Sequence, residues 1–375
     1  MVSSKVLKRR IKLDSESISS LSSKVKRLSA KDKLLFNRFY SLSERDSFMK
    51  IPKSMIPWVK SQFGSVNAVT NQKIIDVRNK FTFEAAAFNE LRSMRPSVKQ
   101  PFDDKDIRIE SGDNFSKPEQ FTPIDEFGRL KGKYSTTCAN VAKYDAFHSL
   151  IIFKEHNPLK FTEAELKDHL DTADKWFSTV NKKNRTYCYP FLMWNCLWRS
   201  AASIIHGHMQ MLMTEGQHYP KLEMLNQVKE FYKEKYEGDY FEDLIKIHEV
   251  LGLTKKYKDF TIVVYLTPVK EKEILIFSND KNKLNKNRTI GSYSWVLNKV
   301  LSSLLKLGVN SFNMACYIPP IGKEKNNAQW KGFPLLFRIT DRGNLASKTT
   351  DIGGMELYAG LNIIESDPFK LIKDF

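Results

Sequence analysis

The sequence predicts an α+β protein of two similarly laid-out halves, each with antiparallel sheet and packed helices. Three observations carry this: a strand, turn, helix, strand, strand order over residues 139–213, a second set of the same kind over about 259–339, and a length of 375 residues, enough to bury a substantial core. The halves divide as 36–220 and 221–375, behind a basic arm over 1–35.

The arm, with its run S-S-L-S-S-K-V-K-R-L-S, is expected to be mobile or loosely helical. F-T-F-E-A-A-A-F-N-E-L-R, residues 81–92, fits a helix stopped by Pro96. Residues 97–135 are polar and rich in Asp, Gly and Pro, the composition of a long irregular connection with short strands. A-N-V-A-K-Y-D-A-F-H-S-L-I-I-F, 139–153, has strand composition, and H-N-P-L then reads as a turn. Thr162 is placed as an N-cap, with Leu166, Leu170, Ala173 and Phe177 at helical spacing behind it. Y-C-Y-P-F-L-M-W-N-C-L-W and S-I-I-H-G-H-M-Q-M-L-M read as paired strands. A helical region over 221–251 leads to D-F-T-I-V-V-Y-L-T-P and E-I-L-I-F-S as strands. A helix with Val296, Leu297, Val300, Leu301, Leu304 and Leu305 on its apolar face follows, then strands at S-F-N-M-A-C-Y-I and F-P-L-L-F-R-I.

A hydrophobic content of 41% marks a globular chain, and 60 Lys+Arg against 43 Asp+Glu give a formal charge of +17, which favours polyanionic partners. Cys138, Cys188, Cys196 and Cys316 form no C-x-x-C pair, so neither a zinc ribbon nor a disulfide framework is expected. No run reaches the length of a membrane span and the N-terminus lacks a signal-peptide core, so the expectation is a cytoplasmic protein without membrane attachment.

The chemistry concentrates in Ser203 to Met213. On a strand, His206, His208 and Gln210 share one face while Ile205, Gly207, Met209 and Met211 take the buried one. Three readings compete: a polar strand face, a metal clip for which no third ligand is specified and Gln is a poor donor, and an imidazole nucleophile for phosphorus with amide donors on the phosphate oxygens. Among the other residues, His148 and His156 divide between structural, metal-ligating and substrate roles, His169 is placed on the surface, and Trp194, Trp198 and Met209, Met211 and Met213 in the core. Glu356 reads as a strand-end carboxylate.

Asn195 lies eleven residues before His206 and Ser203 three before it. With H-S-L-I-I-F-K-E-H-N-P-L and F-N-E-L-R-S-M-R-P upstream, this ensemble resembles the histidine-triad superfamily. The likeness is to the branch of galactose-1-phosphate uridylyltransferase and the dinucleoside-polyphosphate and nucleotide-sugar phosphorylases, which ends its motif in Gln. It covers residues 78–215 and continues more faintly through F-R-I-T-D-R-G and D-I-G-G-M-E-L. The resemblance implies two histidine-triad-like halves. It also implies that His208 is the nucleophile, that the His206 carbonyl positions its ring, and that Gln210, Ser203 and Asn195 hold phosphate oxygens. Arg92 and Arg95 would lie near the nucleotide and Asn140 at the nucleoside, while Arg199 is an additional cation that the family pattern lacks.

There are departures. Members with a structural zinc pair C-x-x-C with histidines at the positions of His156 and His206; here that region reads S-G-D-N-F-S-K-P-E, so the full site cannot form and no metal centre is expected. The common H-P-H is H-G-H, and the Gly-rich turn before Ser203 is W-R-S-A-A. The implied activity is a ping-pong nucleotidyl transfer to phosphate or a sugar phosphate, with no required cofactor and Mg²⁺ only as a companion of polyphosphate. Charge and the missing cysteines favour a diadenosine tetraphosphate phosphorylase (ATP adenylyltransferase) over a hexose-1-phosphate uridylyltransferase or nucleotide-sugar phosphorylase. A homodimer is implied by the family habit. The alternative of another class is a basic nucleic-acid-binding protein with a silent site, though no nucleic-acid-binding motif is visible.

Overall fold

The computed structural model describes residues 16–94, 107, 113–257, 259–279, 289–323, 328–347 and 349–375. Its first part runs through α1 (Leu21–Lys26), α2 (Ala30–Phe39), β1 (Tyr40–Phe48), α3 (Ile56–Phe63), α4 (Val66–Thr70), β2 (Asn71–Asn79) and β3 (Ala85–Phe88). Next come α5 (Pro118–Phe121), β4 (Ser135–Ala139), β5 (Phe147–Phe153), α6 (Glu163–Lys183), β6 (Tyr187–Cys196) and β7 (His208–Glu215). The remainder is α7 (Pro220–Tyr236), α8 (Tyr240–Leu251), β8 (Thr254–Lys256), β9 (Phe260–Val264), β10 (Ile274–Ser278), α9 (Ser294–Lys306), β11 (Phe312–Tyr317), β12 (Leu336–Asp341), β13 (Leu361–Ile364) and α10 (Pro368–Leu371). No described helix is long and apolar enough to cross a membrane.

Two sheets form. Nine strands in the order β4-β5-β7-β6-β11-β12-β10-β9-β8 are antiparallel throughout, and the β6–β11 ladder joins the two halves edge to edge. The smaller sheet has the order β1-β2-β3-β13. Alternation along each strand decides what covers the large sheet. Ile151, Phe153, Met209, Met211, Ile262, Ile274 and Ile339 turn to one face, where α6 and α9 supply Leu170, Trp176, Phe177, Val296, Leu297 and Val300. On the opposite face of the second half, Val263, Leu275, Phe277 and Leu336 meet α1, α2, α7, α8 and the small sheet through Leu21, Phe39, Val77, Tyr232 and Leu244. Complete burial of side chains of this size stabilises by roughly 1.5–3 kcal/mol each. On that same face of the first half, Leu150 and Ile152 with Phe115 and Cys138 make a small apolar cluster, beside which His148, His208 and Gln210 form a buried polar patch. The candidate site residues His208 and Gln210 sit there.

Helix α6 forms as its sequence dictates: Thr162 Oγ1 accepts from Glu165 N while the Glu165 side chain returns to the Thr162 N–H, and Leu166, Leu170, Ala173 and Phe177 are buried. Four expectations need correction. A-A-A-F is strand β3, because β2 and β13 hydrogen-bond to its two edges and small side chains fit under cover on both faces. The 139–153 strand is a hairpin, with β4 ending at Ala139 and β5 starting at Phe147. Residues 18–35 are not a loose arm, since Ile18, Leu21 and Val25 are buried; residues 1–15 lie outside the described set. The span 18–88 packs with the second half rather than opening the first, so 36 marks no structural boundary.

At the interface of the two sheets, Arg338 Nε donates to Glu273 Oε1 (2.7 Å) and its Nη1 to Glu84 Oε1 (3.1 Å), while Tyr265 OH donates to Glu84 Oε2 (2.7 Å). Burial alone would raise the Glu84 carboxyl, but Arg338 and Lys221 outweigh it and hold the group down at about 2. This network lies on the same sheet face as the polar half, where the second half has no H-x-H.

Candidate active site

Strand β7 begins at His208, not at Ser203, so His206 and Gly207 belong to the connection leading into it. The expected alternation holds from there: Met209 and Met211 are fully buried under α6. The histidine face is also buried, with His208 at 7% exposure and Gln210 at 8%, so it is a sheltered polar pocket floor and not an outer face.

His208 Nδ1 lies 2.8 Å from the His206 carbonyl oxygen. A carbonyl can only accept, so the proton sits on Nδ1 and the lone pair on Nε2. Burial pushes the His208 imidazole below its usual range, and the nearby His206 adds to this against the opposing bond to the His206 carbonyl. The ring is therefore neutral and nucleophilic at Nε2. The edge of the Phe115 ring closes one side at 5.3 Å.

Gln210 pairs with Leu150 on β5 and Met193 on β6. Its Oε1 is 3.0 Å from His148 Nε2, and His148 Nδ1 accepts from the Tyr144 N–H at 3.1 Å. Asn140, in the β4–β5 turn, places Nδ2 3.1 Å from His148 Nε2. Asn195 sits two residues beyond the Met193–Gln210 pair, where β6 runs past His208. Its Oδ1 accepts from Asn313 Nδ2 of β11 at 2.7 Å, and Asn313 Oδ1 in turn accepts from Arg342 Nη1. Asp351 anchors that guanidinium through bonds of 2.7 and 2.9 Å.

His206 Nε2 donates to Phe153 O at 2.9 Å, which leaves Nδ1 without a proton. That nitrogen nonetheless lies 2.8 Å from Asp113 Oδ2 and 3.2 Å from His156 Nδ1. Acceptors at such distances need a positive charge among them, either a second proton on His206 or a cation. The three ligand atoms lie within 4.8 Å of one another, and two imidazoles with a carboxylate suit a zinc-type ion. The C-x-x-C half of the familiar zinc site is indeed missing, yet the segment in its place supplies Asp113. Burial works to raise the Asp113 carboxyl, but the bond from Ser116 and the proximity of His206 bring it below its ordinary value.

The other expected site residues lie on several elements. Ser203 is exposed in the connection before β7. Arg199 is half-buried, in a 3-10 turn Trp198–Ser200 bracketed by left-handed residues Leu197 (φ 67°) and Ala201 (φ 71°), and its Nη1 donates to Thr349 O. Arg92 follows β3 in the 3-10 turn Glu90–Met94, on the small sheet; among the described residues no hydrogen bond or ion pair joins it to His208. Arg95 lies outside the described residues. His169 is buried (3%), stacked on Phe153 at 3.9 Å, and Trp198 is 39% exposed, both the reverse of expectation. Glu356 lies 3.6 Å from Lys270. Asp113 lies within S-G-D-N-F with no ligand motif around it, Arg342 falls in F-R-I-T-D-R-G, and no sequence pattern marks Asn313.

No family model and no curated protein sequence matches the chain. Solved structures do match its fold. An ADP-glucose phosphorylase from Arabidopsis thaliana, with bound ADP-glucose, superposes with a TM-score of 0.60 at 14% identity, over 80% of this chain and 97% of that one. A uridylyltransferase gives 0.56 at 15% identity, over 79% and 96%. A GalT-like protein from Arabidopsis thaliana gives 0.55 at 15%, over 71% and 92%. The α+β architecture is thus the one expected from the motif resemblance, that of uridylyltransferases and nucleotide-sugar phosphorylases.

Proposed function

We propose that the chain is a nucleotidyltransferase working through a covalent intermediate on His208. The observation that carries this reading is the neutral His208 ring, held at Nδ1 by the His206 carbonyl, with two carboxamides beside it whose oxygens are already engaged. In the first step the Nε2 lone pair attacks the α-phosphorus of a nucleoside phosphoanhydride. The P–N bond forms, the bridging P–O bond breaks, and the leaving phosphate departs with the electron pair. In the second step an oxygen of the acceptor phosphate attacks the same phosphorus and the P–N bond returns its pair to Nε2. The Nδ1 proton stays on His208 throughout, and the His206 carbonyl stabilises the cationic ring of the intermediate.

Gln210 holds no proton to give to a water or a leaving group, which favours transfer over hydrolysis. The +17 balance favours anionic substrates and inorganic phosphate as acceptor, with a dinucleoside polyphosphate such as diadenosine tetraphosphate as donor. Nucleotide sugars are the second donor class to test. Asp113, His156 and His206 would hold a zinc-type ion, whose contribution is to pin the His206 segment and hence the nucleophile's carbonyl partner.

Incubation with diadenosine tetraphosphate, ADP-glucose or UDP-glucose, each labelled in the α-phosphate, tests the reading. After denaturation, acid-labile and base-stable label on the wild type and none on His208→Ala supports it and names the nucleotide. Absence of label with every donor, alongside salt-sensitive binding of RNA or DNA, sinks it in favour of a silent site.

A further inference from the structure

We infer that His148 and Asn313 are positioning residues that turn the carboxamides of Gln210 and Asn195 so that only their N–H groups face the ligand beside His208. The inference rests on the transfer reading above and assigns a role to the two residues that engage those carboxamide oxygens.

A carboxamide has one useful end for a phosphate oxygen and one harmful end. The NH₂ donates to it, whereas the carbonyl oxygen repels it, and the two ends exchange by a flip of one torsion. Something must therefore set the flip before substrate arrives. At Gln210 the Tyr144 backbone N–H sets the arrangement. The Tyr144 backbone N–H can only donate, and it meets His148 Nδ1 at 3.1 Å, so that nitrogen is the acceptor. A neutral imidazole then carries its proton on Nε2, and Nε2–H donates to Gln210 Oε1 at 3.0 Å. His148 is completely buried and its ring lies under Tyr144 with centroids 4.6 Å apart. Burial also holds it below its usual range and keeps it neutral, although the bond to Gln210 opposes this.

The chain at Asn195 is independent and begins in the second half. A guanidinium only donates, so Arg342, fixed by Asp351, compels Asn313 to turn its Oδ1 that way. The Asn313 NH₂ then faces Asn195 Oδ1 at 2.7 Å and also reaches Ser200 O at 3.1 Å. The Asn195 NH₂ is left for the ligand. The second half, which has no H-x-H, thereby acts on the chemistry of the first across the β6–β11 ladder.

The competing arrangement is also visible. Asn140 Nδ2 lies 3.1 Å from His148 Nε2, and a proton on Nδ1 instead would let Asn140 donate and would flip Gln210. The two arrangements predict opposite tautomers. In ¹⁵N-resolved imidazole spectra of the full chain, His148 is expected as the Nε2–H tautomer; the Nδ1–H tautomer would overturn the assignment. This arm needs no activity, so failure of the transfer reading and failure of the inference are separate results.

The second arm is a pair of mutant cycles read as the single-turnover rate of nucleotidyl transfer to His208. His148→Phe keeps a ring under Tyr144 but loses the donor; the rate is expected to fall about 10- to 100-fold in the wild type and less than about twofold in Gln210→Ala. His148→Gln, which can still donate, recovers most of the rate. Asn313→Leu is expected to behave likewise against Asn195→Ala. Equal losses with and without the partner carboxamide, or no loss from either substitution, would show that His148 and Asn313 do not act through Gln210 and Asn195.

Discussion

Gly207→Ala is the sharpest perturbation of the H-G-H turn. A Cβ built at Gly207 would stand 2.5 Å from Phe153 Cδ2 and 3.2 Å from Glu155 O, the first about an ångström short of ordinary van der Waals contact. The Phe153 ring cannot retreat, since it is 4% exposed, stacked on His169 at 3.9 Å and packed edge-on against Trp194 at 5.2 Å. Either the end of β5 or the turn itself must move. Overpacking of this kind costs about 1–3 kcal/mol. The same backbone carries the His206 bond to Phe153 O and the His208 bond to His206 O, and a shift of about 1 Å at a nucleophile costs on the order of 10²-fold in rate. Urea unfolding and single-turnover transfer measure the two effects. Gly207→Pro, which restores the H-P-H spelling, also removes the N–H that donates to His156 O at 2.9 Å and is expected to be worse. An alanine variant as stable and as fast as the wild type would refute the reasoning.

Acid should unfold the protein early. Burial depresses His169, His218 and His248 to about 4, so the unfolded chain binds protons first; stability is complete above about pH 6.5 and lost as pH falls towards 4, by about 2 kcal/mol per residue at pH 5. Chemical denaturation at pH 7 and pH 5 checks this, and equal midpoints would contradict it. Arg338→Leu removes the cation on buried Glu273 and leaves buried Glu84 with Lys221 alone, and is expected to cost about 3–5 kcal/mol, read from the same melts, whereas a loss under about 1 kcal/mol would mean the network is hydrated. Zinc added to chelator-treated protein should raise Tm in the wild type and not in Asp113→Ala; an identical response in both removes the Asp113, His156 and His206 site from the account.

What could be read from the chain depended on range. The α6 capping box and the alternating strands of the second half are local patterns, and they stand where expected. Ala85 to Phe88 misled because alanine-rich sequence favours helix, while the deciding partner, β13, comes from the far end of the chain. His169 was placed outside because Asp168 and Asp171 flank it, although its spacing from Leu166 and Ala173 already put it on the buried face. The same divide runs through the site. The bond from His208 to the His206 carbonyl spans two residues and follows from the motif. The His148 bond to Gln210 needed the register of β5 against β7, and the Asn313 bond to Asn195 needed the joining of the halves.

Peptide mapping of the quenched reaction tests the central claim most directly. Wild-type protein mixed with α-labelled donor and no acceptor is digested under alkaline conditions and the modified peptide sequenced by mass spectrometry. The account predicts one nucleoside monophosphate on the peptide containing Ser203 to Met213, attached at His208 and discharged on addition of phosphate or a sugar phosphate. A nucleotide attached at any other residue, or turnover with no trapped intermediate, would contradict it.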